Sequence, residues 1–187
     1  MSVFVITGPS GVGKGTLIKR LRERVPGLAL SVSATTREPR KGEEHGSDYH
    51  FLSPEDFENR VLAGDFLEHA VYAGNMYGTL RDEIDRADGD LVLEIEIEGA
   101  RQVRSALPDA VQVFIAPPTP EVLKQRLEGR GTDSPEAMQR RLARAEEELA
   151  AQDEFRHVVV NDELDRAVDE LADLVARVRG RPQGDFE

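Results

Sequence analysis

A glycine-rich stretch with one lysine holds the residues of this sequence that are best suited to chemistry. Gly8, Gly11 and Gly13 follow the apolar residues 3–7 and precede Lys14. Glycines let successive backbone N–H groups approach a polyphosphate closely, and the lysine adds a positive charge for its outer phosphates. The N–H groups that begin the following helix add the positive end of its dipole. The stretch therefore predicts a phosphate-binding loop, although a glycine-rich turn can also be only a tight connection between strand and helix.

One position of this loop departs from the usual phosphate-loop pattern, in which Ser or Thr directly follows the lysine. Gly15 occupies that position here, and the hydroxyl comes one residue later, at Thr16. The departure weakens the motif match. It leaves the backbone cradle intact, because the cradle depends on N–H groups rather than on a hydroxyl.

Two arginines three positions apart, Arg37 and Arg40, lie in the hydroxyl-rich residues 31–40. The chain has a formal net charge of −12, so an anionic ligand must be held by local positive groups. Each planar guanidinium group can bond a phosphate through two N–H groups, which suits this pair to a second anion. The alternative is a solvated surface pair, and the spacing alone leaves both interpretations open.

Three glutamates, Glu94, Glu96 and Glu98, alternate with apolar residues. In a strand, this period places all three carboxylates on one face. If the strand is central in a sheet, we expect the carboxylates to meet a metal, a cation or a ligand donor, because buried unpaired charge is costly. The alternative is an edge strand whose acidic face lies in water.

A basic loop flanked by glycine, at residues 126–132, runs into a helical pattern with two more arginines at residues 139–142. Arginines on a mobile lid could complete a phosphoryl-transfer site, because that transition state carries spread negative charge. A helix with ordinary surface arginines explains the segment equally well.

Apolar runs predict buried strands at residues 3–7, 91–97, 111–116 and 157–160, with helical patterns between them. Helix starts are indicated where a capping hydroxyl precedes proline, at Ser53-Pro54, Thr119-Pro120 and Ser134-Pro135. Alternating strands and helices predict an α/β fold, with a parallel sheet, helices on both of its faces and ligands at the carboxyl ends of the strands.

The segment at residues 31–80 interrupts this alternation. It is richer in polar and turn residues and contains shorter strand-like pieces at residues 47–52 and 66–72. We therefore expect a small inserted subdomain.

Composition sets broad limits on location and partners. The 187 residues are 39% hydrophobic and 32% charged, include no cysteine, and contain no apolar run of bilayer length. The first strand begins too close to the N-terminus to leave room for a signal segment, so we expect a cytoplasmic protein with no membrane partner. The negative net charge argues against nucleic-acid binding. The oligomeric state stays open.

Ordered motifs along residues 3–174 closely resemble those of guanylate kinases. They are GPSGVGK (8–14), SVSATTREPR (31–40), GSDYHF (46–51), FLE (66–68), GNMYGT (74–79), IAPP (115–118), RLEGRGT (126–132) and VND (160–162). The resemblance implies one guanylate-kinase-like domain over residues 1–187, with a phosphate-loop kinase core, a GMP-binding subdomain and a helical lid. The implied bounds are about 1–30 and 88–187 for the core, 31–85 for the subdomain and 126–148 for the lid.

The same resemblance implies ATP-dependent phosphorylation of GMP and dGMP by direct in-line transfer, with Mg²⁺. The implied catalytic residues are Lys14, Arg130 and Arg141. The implied ATP contacts are Gly8, Pro9, Ser10, Gly11, Val12, Gly13, Lys14, Gly15, Thr16 and Asn161. The GMP phosphate would be bound by Arg37, Arg40, Tyr49 and Tyr77, and the guanine by Ser33, Glu68, Thr79 and Glu96. Mg²⁺ would be held through phosphates and water, with Thr16 and Glu94 as candidate ligands.

The chemistry of guanine supports the choice of Glu68. Guanine presents donors at N1 and at its 2-amino group, which one carboxylate can accept together, whereas adenine presents no such adjacent pair. A buried acceptor left unpaired costs about 1 to 3 kcal/mol, on the order of tenfold to a hundredfold in discrimination. The sequence departs from the usual family pattern at Gly15, at Glu94 and Glu96, where Asp is common, and at Thr79, which replaces Ser.

Two other functions stay open at this point. A related kinase acting on a non-nucleotide acceptor, such as a ribose bisphosphate, would not need the guanine-reading residues Ser33 and Glu68. A non-catalytic protein-binding module with a guanylate-kinase-like fold would be expected to have a degraded phosphate loop, whereas Lys14 is present here.

Overall fold

The computed structural model describes residues 1–129 and 135–180, with the backbone alone at residues 135–137. Its strands are β1 (Val3–Thr7), β2 (Leu28–Leu30), β3 (Ala34–Thr35), β4 (His50–Phe51), β5 (Phe66–Tyr72), β6 (Asn75–Leu80), β7 (Asp90–Glu94), β8 (Val111–Ala116) and β9 (His157–Val160). Its helices are α1 (Lys14–Arg24), α2 (Pro54–Ala63), α3 (Arg81–Asp85), α4 (Ile97–Ala106), α5 (Pro120–Glu128), α6 (Pro135–Ala150) and α7 (Leu164–Arg179).

Five parallel strands form the central sheet in the order β2-β7-β1-β8-β9. Alternate residues of β1 face opposite sides of this sheet. Phe4 and Ile6 share a buried cluster with α1 and α7, whereas Val3 and Val5 share one with α4. Burial on both faces explains why the strand is apolar throughout. The predicted α/β fold, with a parallel sheet covered on both faces, is therefore confirmed.

The strand predicted at residues 91–97 is wrong at its end, because β7 stops at Glu94 and α4 begins at Ile97. Ile97, Ala100 and Val103 are all buried. Their spacing is helical, so beyond β7 the helical period prevails over the alternation that the glutamates suggested.

This helix separates the three glutamates that the sequence placed on one strand face. Glu98 lies in the first turn of α4, where it is exposed and pairs with Arg101 at 3.3 Å. Only Glu94 and Glu96 remain beside the site. The edge-strand alternative is also wrong, because β7 lies between β2 and β1.

A second sheet, in the order β4-β3-β6-β5, is formed by residues 34–80. The strand predicted at residues 66–72 is confirmed as β5. The piece predicted at residues 47–52 is shorter than expected, because only His50 and Phe51 pair with β3, which itself has two residues.

Two of the predicted helix caps are confirmed by hydrogen bonds. The Ser53 hydroxyl accepts the Asp56 N–H at 3.0 Å, and the Thr119 hydroxyl accepts the Val122 N–H at 3.3 Å. The third helix begins at Pro135 as expected, while Ser134 lies outside the described residues.

The core helix α4 also packs against β5, the edge strand of the second sheet. The Gln102 side chain continues the sheet's hydrogen bonding. Its Oε1 accepts the His69 N–H at 3.1 Å, and its Nε2 donates to the His69 carbonyl at 2.7 Å. This contact fixes the second sheet opposite the carboxyl ends of the central strands.

Candidate active site

The glycine-rich loop between β1 and α1 has the close approaches that require glycine. Gly8 has φ 142°, and a Cβ on it would lie 2.3 Å from the Ile115 carbonyl oxygen of the neighbouring strand β8. Gly13 has φ 99° and directly precedes α1, and a Cβ there would lie 2.8 Å from the Asn161 amide nitrogen. An alanine at either position would therefore displace the loop.

Two side chains support this loop from behind. The Asn161 amide, just after β9, donates to the Val12 carbonyl at 2.7 Å. Arg126 of α5 donates to the same carbonyl at 3.2 Å and to the Asn161 carbonyl at 3.0 Å. Asn161, predicted to contact ATP, is thus buried and bonded to the loop, and Arg126, from the basic loop, lies beneath it.

Lys14 is the first residue of α1, and its side chain is buried. Its Nζ donates to the carbonyls of Gly8 and Pro9, so the ammonium group closes the loop on itself. Burial raises the pKa values of Glu94 and Glu96, and the nearby charge on Lys14 opposes that rise.

A cavity of about 1010 Å³ lies between this loop and the second sheet. It collects most of the predicted site residues: Pro9, Ser10, Gly11, Gly13, Lys14, Gly15, Thr16, Ser33, Arg37, Arg40, Tyr49, Glu68, Tyr77, Glu94, Glu96 and Arg141. Four others lie behind its walls, namely Gly8, Val12, Thr79 and Asn161. Arg130, predicted to be catalytic, lies outside the described residues.

At the far end of the cavity, Arg37 already binds a carboxylate. Its two terminal nitrogens donate to the two oxygens of Glu43, both at 3.0 Å, and the Glu43 carboxylate also accepts the Arg40 N–H at 2.7 Å. The Arg37 guanidinium lies 5.2 Å from the centre of the Tyr49 ring. The Arg37 fork is therefore occupied by a carboxylate of the same chain, in the two-bond geometry that oxyanions adopt with arginine. Glu43 was not identified from the sequence, since a loop residue carries no periodic signal.

Glu68 on β5 is almost fully buried, with 4% of its surface exposed. Its Oε1 accepts the Thr79 hydroxyl at 2.7 Å. Burial raises the pKa of Glu68 to about 7, against the lowering effect of Thr79. Gly99 of α4 makes room for this carboxylate, because a Cβ there would lie 2.3 Å from Oε2. Thr79 thus orients Glu68 from behind.

Glu94 and Glu96 lie at the base of the cavity, beside Lys14. Burial raises the pKa of each carboxyl, Lys14 opposes that shift, and Glu96 adds to it for Glu94. Oε2 of Glu96 is buried and has no hydrogen-bond partner among the described residues. A Cβ on Gly15 would lie 3.7 Å from both Glu94 oxygens. Glu94, whose side chain is one methylene longer than that of Asp, therefore fills the space beside this glycine.

A parallel sheet whose first strand runs into a glycine loop with a buried lysine is characteristic of phosphate-loop nucleotide-binding proteins. Comparisons with known proteins identify the family within this class. A family model described as guanylate kinase matches residues 1–178. A guanylate kinase of Synechococcus sp. (strain CC9902) is 58% identical over 170 residues, which cover 89% of this chain and 91% of that protein. A guanylate kinase of Parasynechococcus marenigrum (strain WH8102) is 55% identical over 177 residues, covering 93% and 97%.

A solved structure points the same way. The crystal structure of guanylate kinase from Anaplasma phagocytophilum superposes with a TM-score of 0.78 at 28% identity, covering 96% of this chain and 87% of that one. The chain belongs to the guanylate kinase family. It is an enzyme, a nucleoside monophosphate kinase. Within residues 1–129 and 135–180, none of the helices has the length and apolar character needed to cross a bilayer.

Proposed function

We propose that the large cavity is where this enzyme joins its two substrates, with the donor at the glycine loop and the acceptor at the second sheet. The reaction is ATP-dependent phosphorylation of GMP to GDP. The observation that carries the placement is that one cavity contains both the phosphate cradle and the buried carboxylate Glu68. Neither a non-nucleotide acceptor nor a binding module is favoured by any feature of the site.

On the donor side, ATP phosphates would be bound by the open N–H groups of the glycine loop and of the first turn of α1. Lys14 would exchange its bond to the Gly8 carbonyl for phosphate oxygens. Arg141, which lines the same cavity, would neutralise charge on the group in transfer, together with Arg130 of the lid. Asn161 would act on ATP through the loop it supports, by way of the Val12 carbonyl.

The residues at the base of the cavity suit Mg²⁺. Carboxylate and hydroxyl oxygens are the ligands this ion prefers, usually one or two of them together with substrate phosphates and water. Glu94 and Thr16 line the cavity beside Lys14. When bound, the ion would neutralise charge on the donor phosphates.

On the acceptor side, the GMP phosphate would be bound by Arg37, Arg40, Tyr49 and Tyr77. The support is the Glu43 carboxylate, whose two oxygens occupy the Arg37 fork as two phosphate oxygens would. A phosphate entering there would displace Glu43. A GMP phosphate oxygen would then attack the ATP terminal phosphorus directly, so no protein side chain needs to act as nucleophile.

The guanine would be read mainly by Glu68, which would accept both the N1 and the 2-amino N–H groups. Thr79 would hold the carboxylate in place, with Ser33 and Glu96 as further contacts with the base. We extend the acceptor range to dGMP, because the residues named here contact base and phosphate rather than the sugar.

We also propose that the chain has three functional parts: a core of about residues 1–30 and 88–187, a GMP-binding subdomain of about 31–85 and a lid of about 126–148. The bounds proposed for the GMP-binding subdomain are supported by the second sheet, which is formed by residues 34–80. A cytoplasmic location fits a chain without cysteine.

Base selectivity tests the proposed role of Glu68. We expect Glu68→Gln to lower kcat/KM for GMP by about tenfold to a hundredfold. The decrease for IMP should be smaller, because IMP keeps the N1 donor but lacks the 2-amino donor. Glu58→Gln, an exposed change on α2, is the control. An unchanged ratio of GMP to IMP turnover in Glu68→Gln would refute the role.

A further inference from the structure

Arg144 on α6 contacts a tyrosine of the second sheet and a glutamate of its own helix. Its guanidinium carbon lies 4.3 Å from the centre of the Tyr72 ring, at the end of β5 in the second sheet. Its Nε donates to Oε1 of Glu148 at 2.9 Å, one turn further along α6. Arg144 thus joins the lid helix to the hairpin that carries the acceptor site.

Glu148 extends this connection to the phosphate loop. Its side chain is 8% exposed, and its Oε2 accepts the Ser10 N–H at 3.0 Å. A buried carboxylate needs partners for its lone pairs, and here a loop N–H and an arginine supply them. Ser10 and Glu148 are 138 positions apart in the sequence. No local sequence pattern could therefore have revealed the contact.

The other end of the connection lies next to the proposed GMP phosphate site. The ring centres of Tyr72 and Tyr77 are 6.3 Å apart, on the two strands of the β5-β6 hairpin. The contacts therefore run from Tyr77 through Tyr72, Arg144 and Glu148 to Ser10. They link the acceptor side of the cavity to the donor side, and Glu148 also interacts with Glu96 at the base of the cavity.

The chemistry of arginine suits this position. A planar guanidinium group can stack on an aromatic ring while its edge donates to a carboxylate, which a lysine cannot do with the same geometry. An exposed ion pair between residues four apart in a helix contributes little to helix stability. The contacts with Tyr72 and Ser10, which lie on other elements, give the pair a role beyond that of helix stabilisation.

We propose that Tyr72, Arg144 and Glu148 are positioning residues that couple the two substrate sites. GMP bound against the hairpin holds Tyr72 and Arg144 in place, and Glu148 then holds the phosphate loop in the arrangement that binds ATP. By linkage, ATP strengthens GMP binding by the same factor. This inference rests on the proposed placement of GMP at the second sheet and ATP at the loop.

Calorimetry on the full chain tests the coupling. The dissociation constant of a non-hydrolysable ATP analogue, with Mg²⁺, is measured without GMP and with saturating GMP. We expect GMP to lower it by about fivefold or more in the unchanged protein, in the usual range of such couplings. Arg144→Ala and Tyr72→Leu should each bring the ratio close to one. Tyr72→Phe, which keeps the ring, should retain it.

Matched variants separate coupling from folding. Arg140→Ala changes an exposed arginine of the same helix and should keep the full ratio. The double variant Arg144→Ala/Tyr72→Leu should lose no more coupling than either single variant, since both break one connection. Thermal melting identifies any variant that fails to fold, and Arg144→Lys then provides a milder change with the charge retained.

Three outcomes would overturn the proposal: a ratio near one in the unchanged protein, a full ratio in both Arg144→Ala and Tyr72→Leu, or losses that add in the double variant. Separate titrations with each ligand distinguish this failure from failure of the proposed function. If GMP does not bind at all, both are contradicted. If both ligands bind without affecting each other, only the coupling is contradicted.

Discussion

The proposed recognition of guanine by Glu68 and the burial of this side chain favour different protonation states of its carboxyl group. To accept two donors from guanine it must be ionised, yet its burial raises its pKa to about 7. A buried carboxyl that is partly protonated near neutral pH is therefore expected in the free enzyme. Binding of guanine should release its proton, because two N–H donors stabilise the charged form.

GMP affinity should accordingly depend on pH through Glu68. At pH 6, one unit below its pKa, only about a tenth of Glu68 is ionised, so we expect GMP to bind about tenfold more weakly than at pH 8. The GMP phosphate titrates in the same region, so the comparison must be made with Glu68→Gln, which keeps only the phosphate's contribution. If GMP affinity depended on pH in the same way in both proteins, the proposal that ionised Glu68 binds guanine would be contradicted.

The stability of the free enzyme should change in the opposite direction. Folding raises the pKa of Glu68 from 4.5 to about 7, so the folded protein holds this proton more tightly than the unfolded chain. Its contribution to stability is full below pH 4.5 and is lost as the pH rises through about 7. Denaturant unfolding between pH 5 and pH 8 should show a smaller decline for Glu68→Gln than for the unchanged protein.

Lys14 should contribute to the chemical step rather than to acceptor binding. We expect Lys14→Ala to lower kcat on the order of a hundredfold to a thousandfold, as loss of a group that stabilises transition-state charge does. GMP binding, measured by calorimetry, should change little. Lys19→Ala, an exposed change on the same helix, should leave turnover unchanged. A Lys14→Ala enzyme with normal kcat would remove the lysine from the mechanism.

Among the structural elements, α4 most directly shapes the acceptor pocket. Its Gly99 lies against the Glu68 carboxylate, and its Gln102 bonds to the backbone of β5. The helix therefore positions both the Glu68 carboxylate, which we propose reads guanine, and the strand that carries it.

Gly99→Ala should test this contact. The new Cβ would lie 2.3 Å from Oε2 of Glu68, so the carboxylate or the helix must shift. Alanine is a better helix former by about 1 kcal/mol, which should offset part of any loss of stability. We expect a higher KM for GMP and an unchanged KM for ATP, with Glu98→Ala as the exposed control. An unchanged KM for GMP would show that Glu68 can move without cost.

The support of the phosphate loop can be tested at Asn161. Asn161→Leu keeps the approximate shape of the side chain, adds no charge, and cannot donate to the Val12 carbonyl. We expect weaker binding of an ATP analogue, by about fivefold to tenfold for one lost hydrogen bond, with GMP binding retained. Equal losses for both ligands would instead indicate general destabilisation of the fold.

The sequence predicted the elements whose signals are local. The apolar runs of β1, β8 and β9 and the caps at Ser53 and Thr119 depend on neighbouring residues, and the structure confirms them. The sequence does not predict the end of β7 correctly. Alternating Glu and Ile is compatible with a strand, whereas the helical spacing of α4 begins within these same residues. The contacts of Glu43 and Glu148 could not be predicted from the sequence, because they depend on the tertiary structure.

At the scale of the whole molecule, two sheets lie around one cavity. The helices α4 and α6 connect the central sheet to the β5-β6 hairpin of the second sheet. The proposed donor loop lies at the end of the central sheet, and most of the proposed acceptor residues belong to the second sheet or flank it. In the proposed arrangement, an acidic chain with net charge −12 would hold two anionic nucleotides through local positive groups.

The central claim is that this cavity transfers a phosphoryl group from ATP to GMP and selects the base. The most direct measurement is ADP production from Mg-ATP by the purified protein with GMP, dGMP, AMP, CMP, UMP or no acceptor. We predict rapid turnover with GMP and dGMP, and far slower turnover with AMP and the pyrimidine nucleotides. Equal turnover with AMP and GMP, or none with any nucleotide from a folded protein, would contradict the account.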